Sequence, residues 1–314
     1  MFSSLGIPYN TPILFQTITA KQPRKVFLFL IVKQSSLSSC FALTITNMST
    51  SQTILFLGAT GGVCGAALQL ALSAGINCVA VVRTPAKLTD KYPSKSNLTV
   101  IQGDAKNMAD VKRALTKPGD AALPGLVDVV VSSVGSYPSL RNFGANEDPT
   151  LCEESMTALL SAVEELVAQG GAQKLSPPRV IAVSSTGISD FGRDVPLAFA
   201  PLYYVMLASA HKDKKKMEAQ LIVDKATGKK TPPAVGGARP EFTVIRGSMY
   251  VDGKDDSKAK PVRVGIEDPY KGIESQAIGY TISREDVGKW IFHNLLSDST
   301  GARRYINKMV TVTY

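Results

Sequence analysis

Ile54-Leu-Phe-Leu-Gly58-Ala-Thr-Gly61-Gly62-Val-Cys-Gly65-Ala-Ala-Leu68 decides how this chain folds. A short apolar run passes into glycines and then into an Ala-rich stretch of helical composition. Such a turn lets backbone approach a diphosphate closely. The helix start behind it offers N–H groups without helical partners and the positive end of aligned peptide dipoles. A G-x-x-G alone is weak evidence; set between a buried strand and a helix it reads as a dinucleotide-binding turn. Gly58, Thr60, Gly61, Gly62, Val63 and Gly65 are the residues expected to line it.

Outward from this turn the pattern is regular. Val- and Ile-rich runs over 53–57, 77–82, 98–102, 127–132, 180–184, 242–246 and 304–312 predict strands. Stretches over 63–73, 110–116, 151–168, 209–223 and 284–297 predict helices. In the third helix Met156, Leu159, Leu160, Val163, Leu166 and Val167 make one apolar stripe, with Asp148-Pro149 as start signal and Gly170-Gly171 as stop. Ser283 reads as the N-cap of the last helix, with Asp286 at its third position. Continuous apolar runs fit strands buried on both faces. The expected fold is therefore α/β: a doubly wound, mostly parallel Rossmann-type sheet with helices on both faces. A substrate or lid region is expected over 247–280, because Gly253 to Ser275 is rich in charge, Gly and Pro.

Gly58-Ala-Thr-Gly61 resembles the start of the atypical short-chain dehydrogenase/reductases, the NmrA-like NAD(P)-binding group, and the resemblance runs from about Thr53 to the C-terminus. The group usually reads G-A-T-G-x-x-G, which would put a third glycine at 64; here Cys64 stands there and the glycine is Gly65. Either the turn is one residue longer or Gly62 takes over part of the role. The second strand ends Val82-Arg83-Thr84-Pro85, with Lys87 beyond it and no acid to accept from ribose hydroxyls. Arg83 would meet a 2′-phosphate with charge-assisted bonds, so NADP is expected over NAD. By the same resemblance Asp104 flanks the adenine, and Ser133, Val134 and Gly135 pass beneath the nicotinamide ribose.

Short-chain reductases generally combine a Ser with Tyr-x-x-x-Lys: the Tyr passes a proton, and the Lys lowers its pKa and holds the ribose. Ser184, in Val183-Ser184-Ser185-Thr186-Gly187, matches the Ser position. Four residues after Tyr203 and Tyr204 stand Leu207 and Ala208, so the Tyr-x-x-x-Lys pair is absent. Asp213-Lys214-Lys-Lys-Met217-Glu218 resembles the D-K-x-x-x-E pattern of atypical members, which implies that Lys214 keeps its place beside the ribose. The competing reading of that run is a solvated helix face. His211, at the mouth of the same region, reads as structural. Reductases of the B-type biliverdin (flavin) kind also lack the tyrosine; they hold the nicotinamide against an acceptor that needs little help with protons. Arg246-Gly247-Ser248 stands where the family usually has Arg-Pro-Gly over the nicotinamide.

The formal net charge of +9 is spread along the chain, apart from a run at Lys212 to Lys216 that also holds Asp213. A small-molecule substrate is expected, with neither nucleic acid nor membrane as partner; the oligomeric state stays open. Four scattered cysteines without a C-x-x-C pair, and two distant histidines, argue against a disulfide framework or a metal site. Residues 1–47 contain no Asp or Glu, and their apolar run at Val26 to Val32 is too short to cross a bilayer. They read as a mitochondrial presequence, an imperfect secretory signal, or an upstream stretch outside the working protein. Met48, set directly before the first strand, favours the last and a cytoplasmic protein over 48–314. Two functions of different class follow: an NADP-dependent oxidoreductase passing a hydride to or from a quinone, flavin or carbonyl compound, and a non-catalytic NADP(H)-binding redox sensor. An extended epimerase or dehydratase is disfavoured by the missing tyrosine.

Overall fold

The computed structural model describes residues 52–117, 125–135, 147–171, 175–199, 207–253, 261–297 and 299–314. Residues 1–47, Tyr203 and Tyr204 lie outside them. Gln52–Tyr314 forms one compact unit. In chain order its elements are β1 (Thr53–Leu57), α1 (Gly62–Ser73), β2 (Asn77–Val82), α2 (Ala86–Thr89), β3 (Leu98–Gln102), α3 (Met108–Leu115), β4 (Val129–Ser132), α4 (Leu151–Gln169) and β5 (Arg179–Ser185). There follow α5 (Ala208–Ile222), β6 (Phe242–Gly247), β7 (Met249–Val251), β8 (Arg263–Asp268), β9 (Gly272–Ser275), β10 (Thr281–Ser283), α6 (Arg284–Ile291) and β11 (Lys308–Thr313).

The main sheet has the order β3-β2-β1-β4-β5-β6-β11-β8-β9. It is parallel from β3 through β11, and β8 and β9 close it antiparallel. Strand order reverses between β1 and β4, so the crevice at their carboxyl ends is the switch point where such folds bind ligands. β1 alternates between two cores. Ile54 and Phe56 join α1, α6 and the Trp290–Leu296 segment on one face; Leu55 and Leu57 join α3, α4 and α5 on the other. All four are fully buried, which is why the run shows no polar alternation.

Three expectations are corrected. The strand expected from Val127 starts at Val129, because Leu126 bridges Thr116 and Val127 N–H donates to Leu115 O at 2.9 Å. The helix expected over 284–297 is α-helical only to Ile291 and continues as a π-turn over Phe292–Leu296. The region expected as a loop over 247–280 contains strands: β8 pairs with β11, β9 with β8, and β7 with β10 in a separate parallel pair. Charged residues do not exclude a strand at the margin of a sheet, where part of the backbone faces water. The expected cap at Ser283 is formed, its Oγ accepting from Asp286 N–H at 2.9 Å.

Candidate cofactor and active site

At the end of β1 the chain turns within four residues. Gly61 N–H donates to Gly58 O at 2.9 Å, Gly61 is the N-cap of α1, and Gly65 N–H returns to Gly61 O at 2.7 Å. Gly58 has φ +82°, and a Cβ there would lie 2.8 Å from Ser133 O, so both conformation and space demand glycine. Ser133 N–H in turn donates to Leu57 O at 3.0 Å, locking the ends of β1 and β4 together. α1 has no acidic residue in its first turn and no side-chain cap. Thr60 and Gly62 are exposed, so the start of α1 reaches solvent at this edge.

Cys64 does not lengthen the turn. It faces the sheet, fully buried, with its thiol 3.4 Å from Leu57 O and 3.7 Å from Val131 O. Burial pushes its pKa up to about 12, so it stays a neutral thiol and a small packing group. Gly62 lies against another helix. A Cβ on it would meet the side chain of Arg284 at 2.8 Å.

Arg83 and Lys87 are exposed at the carboxyl end of β2, beside the turn. Asp104 shapes the loop after β3: its Oδ1 accepts from Lys106 N–H at 2.9 Å and its own N–H donates to Asp110 Oδ2 at 3.0 Å. Val134 O accepts from the Cys152 thiol at 3.3 Å, and Gly135 is exposed with open space where a Cβ would sit. The turn, Arg83, Asp104 and Ser133 to Gly135 therefore share the carboxyl edge of β1 to β4.

The D-K-x-x-x-E pattern separates into three jobs. Asp213, almost completely buried, accepts from Cys152 N–H at 2.9 Å and Glu153 N–H at 2.8 Å, capping the start of α4 from another helix. Lys214 turns inward and donates to Val183 O at 3.2 Å, at the end of β5. Glu218 grips the buried Arg246 of β6 at 3.1 and 2.7 Å, and the same guanidinium reaches Glu267 of β8 at 2.9 Å. Burial alone would depress the pKa of Arg246; the two carboxylates outweigh it and leave it raised, so the arginine stays charged. The flanking Lys215 and Lys216 form the solvated face, paired with Asp190 and Glu153.

Ser184 is fully buried, and its Oγ has no hydrogen-bond partner among the described residues. Its carbonyl accepts from the Tyr250 hydroxyl at 2.8 Å, and that hydroxyl accepts from Gly247 N–H at 3.1 Å. Tyr250, from β7, thus clasps the ends of β5 and β6. His211 is buried, and burial with the nearby Lys214 charge pushes its pKa down to about 4, so it is neutral at physiological pH. A groove of about 580 Å³ along α4, lined by Lys106, Thr150, Glu153 and Lys216, is stocked with charges already paired to one another. Among the described residues no His, Cys, Asp or Glu cluster is placed to hold a metal, and no helix is long and apolar enough to cross a membrane.

Sequence reasoning named Asp213 and Arg246 within motifs without their partners, and gave no role here to Glu267, Tyr250 or Arg284. A signal existed for the first two: an acid beside the inward lysine, and an arginine inside an apolar strand, where a charge is rarely left without a partner.

The sequence profile described as NAD(P)H-binding matches residues 58–298. The chain belongs to that NAD(P)H-binding family. Among its relatives, reductase pytE of Aspergillus terreus is 37% identical over 278 residues, covering 85% of this chain and 99% of that protein. Oxidase pynE of Aspergillus niger is 32% identical over 287 residues, covering 83% and 98%. The solved structure of ChuY, an anaerobillin reductase from Escherichia coli O157:H7, superposes with a TM-score of 0.53 at 19% identity, over 83% of this chain and 97% of that one; it shares the fold. The family, with the reductase and oxidase relatives, makes this protein an NAD(P)-dependent oxidoreductase.

Proposed function

We propose that this protein is a cytoplasmic oxidoreductase that prefers NADP(H) and exchanges a hydride with a small organic acceptor, a quinone, flavin or carbonyl compound, without a Tyr-x-x-x-Lys pair. One observation carries the reading: Lys214 is the inward-facing member of its lysine run, brought to the end of β5 beside Ser184. The residues fit the dinucleotide, since Thr60 and Gly62 leave the turn open to solvent and the first turn of α1 carries no competing acid.

NADP(H), when bound, supplies or accepts the hydride. The chain does the rest. First-turn amides at Gly62 and Val63, with Thr60 beside them, hold the diphosphate. Arg83 and Lys87 select the 2′-phosphate, and Asp104 borders the adenine. Ser133 to Gly135 leave a flat floor for the ribose, and Lys214 binds its hydroxyls. Ser184 positions the nicotinamide end from within the strand, its carbonyl fixed by Tyr250. With no tyrosine paired to the lysine, proton delivery falls to the acceptor or to water, which suits acceptors whose reduced form is stable without a positioned acid.

The test is NADPH oxidation against a panel of quinones, flavins and carbonyl compounds. Turnover on one of these classes is expected, with Lys214→Ala lowering kcat/KM about 10- to 100-fold, a loss of about 1.4–2.7 kcal/mol. Arg83→Ala should cut the preference for NADPH over NADH by a similar factor, the worth of charge-assisted hydrogen bonds. Tight NADPH binding with no turnover on any acceptor would instead establish the sensor reading.

A further inference from the structure

Arg284 heads α6, yet its side chain lies on the cofactor turn. The aliphatic stem rests on Gly62, where a Cβ would sit 2.8 Å from Arg284 Cβ and 2.9 Å from its Cδ. One helical turn on, Gly288 lets α6 press against α1: a Cβ there would lie 2.4 Å from Val63 O and 2.6 Å from Ala66 Cβ. The backbone beneath Arg284 is therefore fixed relative to the first turn of α1, and only the outer side chain can move. The guanidinium sits 5.9 Å from the centre of the Tyr250 ring and donates to Asp252 at 2.8 Å. The two partners of that ion pair differ sharply. The Asp252 side chain is 84% exposed, whereas that of Arg284 is 20% exposed. A pair with one carboxylate in water contributes little and is easily exchanged.

We propose that Arg284 is a ligand of the cofactor diphosphate, parked on Asp252 when no dinucleotide is bound and transferred to the diphosphate when one is. This rests on the dinucleotide reading of the Gly58–Gly62 turn. A diphosphate over the first amides of α1 lies within a side-chain swing of a guanidinium whose Cδ already touches Gly62. It also offers two charges and several acceptor oxygens, where Asp252 offers one carboxylate that lies largely in water. Arg284 thereby adds from α6 the positive charge that α1 lacks in its own first turn. Asp252 acts as a competing counter-ion that lowers cofactor affinity.

Calorimetric titration of the full chain with NADPH, and with adenosine 2′-monophosphate, which lacks the diphosphate, tests this. Arg284→Met keeps the stem on Gly62 and should raise the Kd for NADPH about tenfold, while leaving the adenosine 2′-monophosphate Kd unchanged. Asp252→Asn should tighten NADPH roughly twofold, the worth of an exposed pair. Unchanged NADPH affinity in folded Arg284→Met, or equal losses for both ligands, overturns the proposal. Should Arg284→Met fail to fold, Asp252→Asn decides alone, and unchanged or weaker NADPH binding overturns it. If the unaltered protein binds neither NADPH nor NADH, the dinucleotide reading itself falls; if it binds and the variants do not differ, only the role of Arg284 does.

Discussion

Gly58 and Arg246 stand three strands apart in the same sheet, and the chain meets them with opposite means. After β1 the structure depends on a missing atom: Gly58 takes φ +82° and lets the Ser133 carbonyl pass where a Cβ would be. In β6 it depends on charges, with Glu218 and Glu267 closing around a guanidinium whose side chain is 4% exposed. The first arrangement is local in sequence and made of backbone. The second draws on three elements and holds only while every partner is present. A turn of the first kind serves a ligand that brings its own charge. A buried network of the second kind fixes α5, and with it Lys214, against β6 and β8.

The contrast can be broken by removing one member from each side. Arg246→Met should cost about 3–5 kcal/mol in urea unfolding, because two carboxylates are left buried without a cation. Adding Glu218→Gln and Glu267→Gln to the same chain should return much of that loss. A single-variant loss below about 1 kcal/mol would mean the network does not hold α5 against β6 and β8. Gly58→Ala should cost about 2 kcal/mol from the left-handed backbone and the Ser133 contact, and should weaken NADPH binding as well. Stability loss with intact binding would detach the turn from the cofactor.

The smallest effect sharpens the comparison through pH. His211 is pushed down to about 4 in the folded protein by burial first and the Lys214 charge second, against an ordinary value of 6.5. Between these values the unfolded chain binds the extra proton, so stability is full above pH 6.5 and falls as pH drops toward 4. His211→Gln should remove about 1–2 kcal/mol of that acid loss, read as Tm at pH 7.5 and 4.5. An unchanged acid slope in the variant would show that His211 does not set it. The loss caused by Gly58→Ala should be the same at both pH values, since no titrating group enters it.

Much of the carboxyl edge was legible because its signals are local. Thr53–Leu57, Asn77–Val82 and Leu98–Gln102 match their expected bounds, being apolar runs bounded by turn residues. The Gly58–Gly62 turn announces itself because glycine is the residue that tolerates its backbone. Lys214 was singled out by pattern, but its neighbours were given no partners. Asp213 and Glu218 look like any acids on a polar helix until α4 and β6 arrive beside them. β8 and β9 escaped because charge, Gly and Pro read as loop, whereas pairing of β8 with β11, and of β9 with β8, supplies the hydrogen bonds that decide the matter.

The sequence by itself determined the order of the strands from β1 to β6, the glycine turn after β1 and the absence of an acid at the end of β2. Each of these depends on the chemistry of a few consecutive residues. Tertiary structure decided that Lys214 turns inward while Lys215 and Lys216 face water, that Asp213 caps a helix it does not belong to, and that Arg284 lies over Gly62. Burial and counter-ions come from distant segments, and the energy of a charge depends on what surrounds it after folding.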